Sequence, residues 1–123
     1  MVKKKFLIIE DEMPLLNAIS LKMQKSGAEV ATARSADEAK KILHEFDPDL
    51  IWLDHYLLGD EDGIEILKRI KKDTSTASIP VFLVSNTCTD EKYQEYHDLG
   101  VKKYYLKSSC RLDEVVSDAM SIA

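Results

Sequence analysis

At 123 residues, with 45% hydrophobic and 32% charged side chains, the chain is long enough for one domain with its own core, and no apolar run approaches membrane-spanning length. A formal charge of −5 argues against a domain that itself grips nucleic acid, which needs a concentrated basic face. Lys3, Lys4 and Lys5 precede only four apolar residues before Glu10, too few for a signal peptide, so the chain reads as cytoplasmic, with no membrane contact and with Cys88 and Cys110 as free thiols.

Residues 6–9 form a short apolar run stopped by Glu10-Asp11-Glu12, the pattern of a buried strand with acids at its carboxyl end. Pro14 suits the first turn of a helix whose inner stripe is Leu15, Leu16, Ile19 and Met23, with Gly27 ending it. Residues 28–33 are a weaker strand around Val30. Ser35-Ala36-Asp37-Glu38 is a capping box, and the helix it opens buries Ala39, Ile42, Leu43 and Phe46 before Asp47-Pro48 breaks it. Leu50-Ile51-Trp52-Leu53, set between Asp49 and Asp54, reads as a strand covered on both faces.

Ile64, Leu67 and Ile70 mark a third helix, and residues 73–78 are polar and turn-rich. Pro80 introduces the apolar run Val81-Phe82-Leu83-Val84, which ends in Ser85-Asn86. Thr89 or Asp90 caps a fourth helix with Tyr93, Tyr96 and Leu99 on one face and Gly100 at its end. Residues 101–106 form a fifth strand ending at Lys107, and Ser109 caps a last helix whose inner face is Leu112, Val115, Val116 and Ala119. Five such βα units predict an α/β fold, a five-stranded doubly wound parallel sheet of order 2-1-3-4-5 with flavodoxin-like topology. The expectation is a single domain over residues 1–123, with no output domain.

Each strand end carries a chemically distinctive residue: Glu10 and Asp11 after the first strand, Asp54 after the third, Ser85 after the fourth and Lys107 after the fifth. In a doubly wound sheet the carboxyl ends of the first and third strands border the ligand crevice. Three carboxylates crowded there repel one another and raise each other's pKa unless a cation joins them. Oxygen-only ligands of this kind suit Mg²⁺. Ser85 and Lys107 would bring a hydroxyl and an ammonium to the oxygens of a phosphoryl group carried on Asp54.

That set, in that order, resembles a response-regulator receiver domain of two-component signalling, the CheY-like family, over essentially the whole chain. The resemblance implies that Asp54 accepts a phosphoryl group from a phosphohistidine on a sensor histidine kinase or a histidine phosphotransfer protein. It implies a Mg²⁺ ion, with Mn²⁺ as a substitute, held by Glu10, Asp11, Asp54 and the backbone carbonyl of Tyr56. Ser85 would bond the phosphoryl group and Lys107 would pair with it, while Ser85 and Tyr104 would act as the switch. A downstream protein would read the face of the fourth helix, fifth strand and fifth helix. Such a domain is no enzyme in the ordinary sense, since it catalyses only its own phosphorylation and dephosphorylation. The family commonly reads Leu-Pro-Gly-x-Asp-Gly after the acceptor. Here Leu57-Leu58-Gly59-Asp60-Glu61-Asp62-Gly63 lacks the proline and is one residue longer, and Lys107-Ser108 replaces the usual Lys-Pro. Asn86 stands where the family often has a small residue.

Plainer readings stand beside these. Asp54 is also a good turn cap, Glu10 and Asp11 a solvated acidic turn, Ser85 a strand-end hydroxyl bonding its own backbone, Lys107 a surface lysine and Tyr104 core packing. His55 reads as a partly exposed loop histidine, and His44 and His97 carry no assigned role. Tyr56 and Thr87 are placed beside the path of a hydrolytic water. Three other functions compete: a receiver-shaped interaction scaffold that is never phosphorylated, a Mg²⁺-dependent phosphatase with an aspartyl nucleophile, and a flavin-binding module. The phosphatase reading calls for a second acid where Tyr56 stands, and the flavin module for a Ser/Thr/Gly-rich loop where Glu10-Asp11-Glu12 stands.

Overall fold

A computed structural model describes residues 3–86 and 89–123. Strands β1 (Lys5–Ile9), β2 (Glu29–Ala33), β3 (Leu50–Leu53), β4 (Val81–Ser85) and β5 (Lys103–Leu106) alternate with helices α1 (Met13–Lys25), α2 (Ala36–Phe46), α3 (Gly63–Lys72), α4 (Asp90–Asp98) and α5 (Leu112–Ile122). The strands pair in parallel in the order β2-β1-β3-β4-β5, as the sequence predicts.

The continuous apolar runs are explained by helices on both sides of the sheet. Successive side chains on a strand point to opposite faces. Leu7, Ile9, Ile51, Leu53, Val81 and Leu83 therefore enter one core layer with α2, α3 and Tyr96 of α4. Their neighbours Phe6, Ile8, Leu50, Trp52, Phe82 and Val84 enter the other, with α1 and α5. A one-residue slip would exchange the two sets and leave neither packed, so the register is firmly specified.

Local chemistry sets the helix boundaries. The Ser35 hydroxyl accepts the Glu38 N–H at 3.2 Å, and Thr89 accepts the Lys92 N–H at 3.2 Å. Asp62 caps α3 by accepting from both Ile64 and Glu65. Asp47 adopts a left-handed conformation (φ 52°) that ends α2, and Gly27 does the same after α1 at φ 95°. Ser109 does not cap α5. The N–H groups of Ser109 and Cys110 both turn back onto the Leu106 carbonyl, at 3.0 and 3.1 Å. That turn delays the helix until Arg111, whose side chain makes no cap bond. On α4 the tyrosine face divides: Tyr96 is buried, whereas Tyr93 is exposed and packs on the Tyr104 ring, tilted by 55° with 5.0 Å between centroids. Thr87 and Cys88 lie outside the described residues; Cys110 is a half-buried free thiol.

Because both sheet faces are sealed, truncating a central strand residue leaves a cavity that cannot collapse. Leu83→Ala, at a fully buried site between Leu53 and Tyr104 in the ladder, is expected to lower unfolding free energy by about 2–5 kcal/mol. Urea titration would show this as a lower midpoint at unchanged slope. A midpoint within error of the parent would contradict the two-layer core.

Candidate functional site at the carboxyl edge of the sheet

The strand ladder itself delivers the acids to one place. Ile9 and Leu53 are the last pair of the β1–β3 ladder, and backbone bonds carry on from both strands. The Glu10 N–H donates to the Ala33 carbonyl and the Asp54 N–H to the Ile9 carbonyl, both at 2.9 Å. Glu10 and Asp54 thus leave adjacent strands together, while the chain at Asp11 turns towards α1. Carboxylate oxygens of Glu10, Asp11 and Asp54 lie within 4.8 Å of one another, a donor set of hard oxygens that fits a small divalent cation. On the far side, Ser85 pairs with Leu106 in the ladder, and the Lys107 N–H donates to the Ser85 carbonyl at 2.8 Å.

Lys107 answers the acids from across this edge. Its ammonium lies 2.6 Å from Glu10 Oε1 and 3.5 Å from Asp54 Oδ2. The first contact is a close ion pair, whereas the Ser85 hydroxyl is buried without a hydrogen-bond partner among the described residues. Buried polar groups left in that condition are uncommon and call for an explanation in function. Glu10 is fully buried, and burial pushes its carboxyl up to about 7; the Asp54 charge adds to the rise while the Lys107 ammonium opposes it. Burial would lower the Lys107 ammonium, but its contacts with Glu10 and Asp54 outweigh this and hold it above its ordinary value.

The plain alternatives hold in part. Glu10 does accept the Glu12 N–H at 3.1 Å at the start of α1, yet it is shut off from solvent rather than a solvated turn. Asp54 accepts the N–H of its neighbour His55 on Oδ1 at 2.9 Å, a local turn contact that leaves Oδ2 towards Lys107. Lys107 is mostly buried, not a surface lysine. Tyr104 is half-buried against the core layer of α2, α3 and α4, and Tyr56 stands 54% exposed beside the site.

Three features are absent from the sequence reading. His55 is 6% exposed, not a partly exposed loop residue, because Tyr96 from α4 covers it and bonds its ring. Arg34, just past β2, clamps the Asp11 carbonyl with two N–H groups at 3.0 and 2.7 Å. Glu61 ties the β3–α3 loop down through Lys40 of α2 and Arg69 of α3, and these two partners hold its carboxyl below the usual range. None of the three leaves a signal in the sequence, because each depends on a contact between residues far apart in the chain.

The family model of the response regulator receiver domain matches residues 6–118. The chain belongs to that family. The phosphate regulon transcriptional regulatory protein PhoB of Pseudomonas aeruginosa is 30% identical over 107 residues, covering 87% of this chain and 46% of PhoB. The transcriptional regulatory protein AfsQ1 of Streptomyces coelicolor is 39% identical over 101 residues, covering 82% and 43%. This receiver therefore spans less than half the length of these relatives. Among solved structures, the phosphorylated cyanobacterial phytochrome response regulator RcpA superposes with a TM-score of 0.81 at 30% identity, over 98% of this chain and 91% of that one. The chemotaxis protein CheY4 of Vibrio cholerae superposes with a TM-score of 0.88 at 20% identity, over 99% and 100%, which establishes the shared fold. No helix among the described residues of the receiver is long and apolar enough to cross a membrane.

The raised Glu10 carboxyl has a signed consequence for stability. Its pKa goes from 4.5 in the unfolded chain to about 7 in the fold, so the folded state holds the extra proton between those values. In chelator-treated protein, stability is therefore lost as pH rises through that window. Glu10→Gln is expected to remove this decline and to exceed wild type at pH 8 by on the order of 1–3 kcal/mol, read by urea titration across pH. Parallel pH profiles for the two proteins would contradict the assignment.

Proposed function

We propose that this receiver is a phosphorylation-dependent switch of a two-component or phosphorelay system, taking a phosphoryl group on Asp54 from a phosphohistidine donor. The observation that carries this is the state of the Asp54 carboxylate. It is 3% exposed, with Oδ1 held by the His55 N–H and Oδ2 turned towards Lys107. Membership of the receiver family supports the same reading, as does the phosphorylated state in which its relative RcpA was solved.

In the proposed step Oδ2 attacks phosphorus, the acyl–phosphate bond forms, and the donor's bond to phosphorus breaks with its electron pair leaving on the donor nitrogen or oxygen. Lys107 neutralises charge on the transferred oxygens, giving up part of its contact with Glu10. The Ser85 hydroxyl, buried and without a partner among the described residues, would gain one in the phosphoryl group. Glu10, Asp11 and Asp54, with the Tyr56 backbone carbonyl, would hold Mg²⁺ or Mn²⁺. Such an ion supplies charge neutralisation and orients the phosphoryl oxygens. Hydrolysis of the phosphoaspartate would reset the domain, so its chemistry is confined to its own side chain.

Movement of Ser85 towards the phosphoryl group would draw on β4 and β5. Tyr104 lies on β5 with its ring against Tyr93 of α4, so the switch would reshape the α4–β5–α5 face. A sensor histidine kinase or histidine phosphotransfer protein is the donor on this reading, and a protein docking on that face is the output.

Intact mass after incubation with acetyl phosphate tests the reading. One phosphoryl group is expected on wild type with Mg²⁺, and none on Asp54→Asn or after chelation. A gain that persists in Asp54→Asn, or a wild type that gains nothing from either acetyl phosphate or a phosphohistidine donor, would overturn it.

A further inference from the structure

The loop that follows Asp54 is held from the side of α4 by a buried pair outside the acid, hydroxyl and lysine set. Tyr96 is the buried residue of an otherwise polar helix, and its phenol reaches His55 Nδ1 at 2.6 Å. The two rings meet edge to face, 5.6 Å between centroids. Tyr96 is fully shut off from solvent and His55 nearly so.

The backbone groups of His55 and its Nδ1 are hydrogen-bonded, and these contacts hold the loop. Its N–H donates to Asp54 Oδ1, and its carbonyl accepts the Gly63 N–H at 2.9 Å. Nε2 faces Asp62 Oδ2 at 3.9 Å, on the carboxylate whose other oxygen caps α3. With the ring proton on Nε2, Nδ1 accepts the phenol proton and Nε2–H points at that carboxylate. Gly63 makes room for this arrangement. A Cβ there would lie 2.3 Å from the Tyr96 hydroxyl oxygen and 2.7 Å from the Asp54 carbonyl oxygen, distances that real side chains do not tolerate.

A buried tyrosine–histidine pair satisfies its own polar atoms wherever it sits. This one ends on the residue whose backbone N–H fixes the rotamer of Asp54, so the position of α4 bears on the nucleophile through a single intervening side chain. We propose that His55 and Tyr96 are positioning residues for phosphoryl transfer: the phenol orients His55, and the His55 N–H holds Asp54 Oδ1 so that Oδ2 presents to the donor. The proposal rests on Asp54 being the acceptor.

The test is the rate of phosphorylation by acetyl phosphate in Mg²⁺, measured across donor concentration. It compares wild type, Tyr96→Phe, His55→Leu, His55→Asn and the Tyr96→Phe/His55→Leu double variant, with circular dichroism verifying that each is folded. Loss of one buried hydrogen bond is expected to lower the maximal rate roughly 2- to 10-fold in Tyr96→Phe and His55→Leu, leaving the half-saturating donor concentration unchanged. The double variant should be no slower than the slower single one, because both remove the same contact. His55→Asn, which keeps a polar group near the place of Nδ1, should recover most of the rate. Folded Tyr96→Phe and His55→Leu proteins that react at the wild-type rate, or losses that multiply in the double variant, would overturn the proposal. A wild type that accepts no phosphoryl group from either acetyl phosphate or a phosphohistidine donor would overturn the Asp54 reading and this inference with it. That result is distinct from a phosphorylated wild type with an indifferent Tyr96→Phe.

Discussion

Everything at the carboxyl edge of this sheet depends on one electrostatic constraint: three carboxyl groups converge, two of them where little water reaches, and among the described residues the Lys107 ammonium answers those two. Two of the acids, Glu10 and Asp54, are essentially buried, so their charges are neither hydrated nor screened as surface charges are. The fold meets this in two ways. It lets Glu10 keep a proton to about pH 7, and it draws Lys107 in from β5 against Glu10 and Asp54. Neither device removes the surplus of carboxylates, and a site in that condition favours cations.

The rest of the structure exists to hold that unfavourable arrangement in place. Parallel pairing of β1 and β3 brings Glu10 and Asp54 out side by side, and the two-layer core prevents the strands from sliding to separate them. The loops are tethered from outside by charged clamps: Arg34 on the Asp11 carbonyl, and Lys40 with Arg69 on Glu61. Exposed pairs of this sort add little stability on their own, but here they fix the path of the loops on which the site is built.

The runs of β1, β3 and β4 were legible because a strand buried on both faces has to be apolar throughout, and they stop at Glu10, Asp54 and Ser85; β5, an edge strand that begins with Lys103 and two half-buried tyrosines, was marked less by apolarity than by Lys107 after it. The caps at Ser35 and Thr89 were legible for the same kind of reason, since side chains that bond their own backbone act over a few residues. Ser109 misled because a hydroxyl before an apolar stripe looks like a cap even when its backbone is occupied in a turn onto Leu106. His55 misled for a longer-range reason. Its burial is produced by Tyr96, 41 residues on, and by the missing side chain of Gly63, neither of which leaves a periodic trace in the sequence. Arg34 is likewise recognisable only once the Asp11 carbonyl is beside it. Contacts along the chain could be read; contacts across it had to be seen.

The central claim is that Glu10, Asp11 and Asp54 act together as one divalent-cation site. The most direct measurement is a Mg²⁺ titration followed by backbone amide NMR shifts in wild type and Asp11→Asn, neither phosphorylated. Saturable shifts concentrated at the ends of β1 and β3, and markedly weakened in Asp11→Asn, are the predicted result. Shifts that fail to saturate, or that are the same in both proteins, would mean that the clustered carboxylates are not a cation site.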